Sequence, residues 1–182
     1  MNKVLKWVLI VIGLLAVLLF AGFQYMKSST KKASPEAIVQ YQKDGKDIEV
    51  FYCRPSKKGR DIFGGLEPYG VVWRTGANEA TTFETKDALQ IGQHNLPAGK
   101  YTLWTIPNKE RWTIIFNGKM YPWGMGWDQK VSREPEADVV KLDVPVQHLT
   151  TPVEQFTIAF EDEQELVMSL SWDDTRVEVP IN

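Results

Sequence analysis

One cysteine, Cys53, and two histidines, His94 and His148, are all that the sequence holds of those residue types. A single cysteine excludes an intrachain disulfide. A lone Cys in a strand-like run reads as a small buried hydrophobe and not as a nucleophile. There is no His-x-His, no His-Glu-x-x-His and no paired-cysteine spacing, so the common zinc patterns are missing. Loop aspartates (Asp61, Asp128, Asp162, Asp173 and Asp174) leave a calcium site open, but none has EF-hand spacing. Walker and dinucleotide glycine loops are absent, as is Gly-x-Ser-x-Gly. No cofactor and no metal are therefore expected. After residue 35 no stretch sustains a 3.6-residue period, which argues against a helical domain.

Acidic residues are missing from residues 1–32, which carry Lys3, Lys6, Lys27, Lys31 and Lys32. Beyond them, 23 acidic side chains outnumber the remaining Lys and Arg. A soluble part this acidic is a poor candidate for nucleic acid. Residues 7–23 (WVLIVIGLLAVLLFAGF) form an unbroken apolar run. Extended to Met26, it reaches about 20 residues, enough to span a bilayer as a helix. The run exceeds a usual signal-peptide core, and no small-x-small cleavage site follows. It reads as an uncleaved signal anchor that contacts the membrane through residues 7–26. The short N-terminus and long C-terminal part favour a single pass with the C-terminal domain extracytoplasmic. Residues 27–35 (KSSTKKASP) read as a polar linker. The expected division is an anchor with its linker at 1–32 and one β domain at 33–182.

From Glu36 the pattern turns to period two. Ala37, Val39 and Tyr41, then Ile48, Val50 and Tyr52, flank Asp44-Gly45 as a hairpin. Residues 54–67 read as a loop broken by Pro55, Gly59, Gly64 and Gly65. Leu89–Gly92 is a short strand, and Leu96-Pro97-Ala98-Gly99 a turn. Tyr101–Ile106 and Arg111–Phe116 pair around residues 107–109. Residues 117–129 form a loop rich in glycine and aromatics. Four further strands are expected, around Val140–Val146, Phe156–Phe160, Leu166–Trp172 and Val177–Ile181. About ten short strands with frequent turn signals read as an all-β, antiparallel β-sandwich, jelly-roll-like or immunoglobulin-like in outline.

The densest chemistry is Tyr69–Phe83, YGVVWRTGANEATTF. An apolar strand-like start (Val71, Val72, Trp73) runs into Arg74, Thr75, Gly76, Ala77, Asn78 and Glu79. One reading is local and structural: Arg74 and Glu79 form an ion pair, while Thr75 and Asn78 bond the nearby backbone. The other is a ligand site, with Arg74 as an anion or carboxylate clamp and Asn78 and Glu79 as polar contacts. Arg54 and Arg60 extend the favoured surface, and Trp123 and Trp127 supply an aromatic wall for a sugar or another flat ligand. Trp112 and Trp172 share strand parity with core residues and read as core.

WRTGANEATTF at 73–83, RPSKKGRDIFGGLEPYG at 54–70 and LPAGKYTLWTIP at 96–107 together resemble the bacterial domain-of-unknown-function family 2911. The resemblance covers roughly residues 34–180. It implies an extracytoplasmic all-β domain with no established reaction. Cys53 departs from the family pattern, which carries serine there. The favoured function is a membrane-anchored module binding a small molecule or carbohydrate; sequence does not name a protein partner. The alternatives are a hydrolase using Glu79 and Arg74, or a structural module without a catalytic site. No motif marks the chain as an enzyme.

Overall fold

The computed structural model describes residues 2–121, 123–126 and 130–182. It forms two compact units, residues 1–33 and 34–182. The first is the helix α1 (Lys3–Ala33), long and apolar enough to cross a membrane and also compatible with a signal sequence. The helix runs through most of the segment expected to be a linker. Residues 27–33 hold no glycine or proline, so nothing there stops it; Pro35 lies just beyond its end.

The second unit is antiparallel β. Its strands are β1 (Glu36–Lys43), β2 (Lys46–Cys53), β3 (Thr81–Thr85), β4 (Leu89–Ile91), β5 (His94–Leu96), β6 (Gly99–Ile106), β7 (Arg111–Asn117), β8 (Asp138–Glu161) and β9 (Val167–Pro180). Seven of them form one sheet in the order β1-β2-β3-β6-β7-β8-β9, and β4 pairs with β5 alone. The β1–β2 turn is set by Asp44 and Gly45, both at positive φ as a two-residue hairpin requires.

The sheet curls until its first strands meet the distal half of β8. There the Tyr52 hydroxyl accepts from Ile158 N at 3.0 Å. Arg54 Nε donates to Phe156 O at 3.1 Å, and Lys43 pairs with Asp162 at 2.7 Å. The all-β, antiparallel domain is thus one curled seven-stranded sheet, with the β4–β5 hairpin bridged to its end through Ile91 and Ile181.

The four strands expected after residue 138 are two long ones. Pro145 and Pro152 read as breakers, yet β8 passes both by bending. Its pairing with β9 shifts register between His148 and Val153 and again before Thr157. Bulges of this kind bend a strand without ending it. Val71–Trp73 is not a strand; only Trp73 bridges to Thr105.

The main core lies inside the curl. An aromatic cluster of Phe63, Trp73, Trp112, Phe156 and Trp172 has ring centroids 4.6–6.1 Å apart. Trp112 and Trp172 are core, as their strand parity predicts. A second, smaller core covers the outer face of β6 and β7: Ala80, Trp104 and Ile115 pack under Val72, Tyr121 and Val131. Part of the aromatic loop thus serves as a cover for the sheet.

Candidate functional site

Trp73 anchors the central stretch. Its ring is buried beside Trp172, and its backbone exchanges two hydrogen bonds with Thr105, at 2.7 and 3.0 Å. Its indole N–H donates to Gly76 O at 3.0 Å, folding the following loop back onto it. Thr75 is fully buried, and Thr81 Oγ1 donates to its carbonyl at 2.6 Å. Thr75, Gly76 and Asn78 all sit at positive φ. Three such residues in four positions are costly for non-glycine side chains and mark a loop held by its surroundings. A Cβ on Gly76 would lie 2.8 Å from Cys53 O, so this loop rests directly on the end of β2.

Arg74 leaves this loop half-buried. Its Nε is buried with no hydrogen-bond partner among the described residues. The carboxylate whose charge acts on it is Glu67, and not Glu79 as the ion-pair reading expected. Burial pushes the Glu67 carboxyl up from 4.5 to about 7, against the opposing pull of Arg74 and Arg60. Burial likewise lowers the Arg74 guanidinium, with Glu67 and then Cys53 acting the other way. Glu79 instead accepts a hydrogen bond from the Cys53 thiol at 3.4 Å. The local hydrogen-bond geometry of the loop explains the exchange: it turns back over β2, which carries Cys53, and so delivers Glu79 there.

The second loop meets the first. Gly124 N donates to Asn78 O at 3.3 Å. A Cβ on Gly124 would stand 2.3 Å from Arg74 Cδ, so the Gly124 backbone lies across the arginine stem. Residues 74–79 and 123–126 are therefore neighbours. Trp123 is 39% exposed beside them. Trp127, the other half of the expected aromatic wall, lies outside the described residues.

The remaining arginines differ in role. Arg54 donates to Phe156 O and to Thr157 Oγ1 (2.9 Å), tying β2 to β8 across the curl. Arg60 is exposed and donates to Lys57 O and Ser56 O, with its charge reaching Glu67. Cys53 is 1% exposed, in keeping with a buried thiol.

Two features were not foreseen. Glu67 sits in a loop read for its breakers and for Arg54 and Arg60, and nothing in residue type foretells its burial. Glu36, Cys53 and Glu79 bring their donor atoms within 4.8 Å of one another, a set that suits a divalent cation. Distance along the chain hid this trio.

A family model described as a protein of unknown function (DUF2911) matches residues 34–181. No curated protein and no solved structure matches the chain.

Proposed function

We propose that this chain, which belongs to the DUF2911 family, is a membrane-tethered, extracytoplasmic module that holds a small carboxylate- or phosphate-bearing ligand at Arg74. The observation that carries this reading is the buried Arg74 Nε with no partner among the described residues. A buried cationic donor left unmade is expensive, and a ligand oxyanion would complete it. Asn78 and Glu79, on the same loop, offer polar contacts, and Trp123 borders it. Glu67 makes the site pH-sensitive. Neutral below about 7, its carboxyl leaves Arg74 free to hold an anion; ionised above, it competes.

The test is calorimetric titration of residues 34–182 with inorganic phosphate and with succinate at pH 6. Saturable heat that disappears in Arg74→Met supports the reading. No heat with either compound at millimolar concentration, or heat unchanged in that variant, refutes it.

A hydrolytic reading is favoured by one observation, a carboxyl poised near neutrality beside an arginine. Glu67, not Glu79, would then be the acid or base. A bell- or sigmoid-shaped pH–rate profile with a midpoint near 7, lost in Glu67→Gln, would establish it. Esterase and phosphatase assays that give no turnover with this domain would remove it.

A further inference from the structure

A cleft of about 360 Å³ opens where the loop after β2, the β6–β7 turn, the bend of β8 and the middle of β9 converge. It shares no lining residue with the Arg74 site. Phe63, Tyr69 and Trp112 give it an aromatic wall, while Asp61, Asp174, His148, Asn108 and Lys109 contribute polar groups. Asp173, also in the lining, is ion-paired with Lys57.

Trp112 is the informative residue. Of the four buried tryptophans among the described residues, three place their indole N–H. Trp73 donates to Gly76 O, Trp104 to Thr102 Oγ1 and Trp172 to Glu154 O. Trp112 is 1% exposed, and its Nε1 has no hydrogen-bond partner among the described residues. A buried N–H without an acceptor calls for one that the chain does not supply.

We propose that this cleft binds a carbohydrate. Three ligand chemistries compete, and the donor inventory separates them. An alkylammonium would suit the aspartates, but it has no lone pair to offer the Trp112 N–H. An anion would accept from Trp112 and meet Lys109, yet it would also face the Asp61 and Asp174 carboxylates. A hydroxyl both donates and accepts, so a polyol satisfies the carboxylates and the indole together. The aromatic wall receives the apolar face of a sugar ring. The volume lies within the roughly 300–1,000 Å³ usual for small-ligand pockets. This site is independent of the Arg74 proposal.

The test is saturation-transfer NMR on the full-length chain in a sugar-free detergent, lauryldimethylamine oxide. The probes are D-glucose, D-galactose, N-acetyl-D-glucosamine and putrescine. Transfer to the ring protons of a sugar is expected. Trp112→Phe keeps the ring and removes the N–H, and should weaken that binding by up to about tenfold. Should Trp112→Phe fold poorly, Asp174→Asn and His148→Ala serve instead; both residues are exposed, and each should weaken the sugar several-fold. Arg74→Met should leave sugar binding unchanged. Transfer to putrescine alone overturns the proposal, as does no transfer to any sugar at 20 mM or so. Sugar binding indifferent to the cleft variants overturns it too.

Discussion

Replacing Glu67 with Gln should make the β domain more stable at pH 8 and leave it unchanged at pH 4. The carboxyl is raised from 4.5 to about 7 in the folded protein, first by burial. The folded state therefore binds this proton more tightly than the unfolded chain does. A raised carboxyl pKa means that stability is fully present below about 4.5 and is lost as pH climbs through 7. Each pKa unit corresponds to 1.36 kcal/mol, so the wild type should lose about 3 kcal/mol across that window. Gln has the same shape and no proton to lose, so the variant should not feel this term. Urea titration of residues 34–182 and of the variant, from pH 4 to 8.5, reads the difference directly. The two stability curves should converge at the acid end and diverge by about 3 kcal/mol at pH 8. Parallel curves would refute the argument. So would a variant less stable at pH 8, since the attraction of the Arg74 charge would then outweigh the cost of burying the carboxylate.

Two further outcomes follow from the same loop. Arg74→Met removes the charge that opposes the Glu67 shift, so the Glu67 midpoint in a carboxyl ¹³C NMR titration should move above its wild-type position; an unchanged midpoint would show the two groups to be uncoupled. Gly76→Ala would place a Cβ 2.8 Å from Cys53 O at a φ of 146°. That substitution should cost about 2–4 kcal/mol in a denaturant titration, and a change below about 0.5 kcal/mol would show that the loop shifts freely.

The strands were legible where alternation and turn chemistry agreed. Ala37–Tyr41 and Ile48–Tyr52 around Asp44-Gly45 pair in the register their turn dictates. Residues 101–106 and 111–116 likewise pair as β6 and β7. Sequence missed the continuity of β8, because Pro145 and Pro152 look like ends and the bulges that carry a strand past them leave no local signature. The order of the sheet was not legible either. Period two tells which face is buried, but not that one sheet closes on itself. At the site, residue types located the 74–79 loop, and the meeting of that loop with Gly124 bears on the surface drawn around Arg74 and Trp123. Partners were beyond reach. Glu67 and Arg74 act on each other through their charges, and Glu36, Cys53 and Glu79 converge only because the chain crosses itself there. Neither relation has a trace in spacing.

The closure of the curled sheet has a kinetic side. Tyr52 and Ile158 stand 106 residues apart, yet they clasp each other through a hydroxyl and a peptide group. Contacts of that span carry a large loop-closure entropy, which is lost before the contact itself contributes. The hairpins β1–β2 and β6–β7 are local and close at little entropic cost, while the clasp closes a far longer loop. Until it closes, the outer edge of β1 and the far half of β8 remain open to pairing with other chains. The domain should thus be most vulnerable to association in the interval between forming its strands and fastening them, and Tyr52 is the residue that ends it.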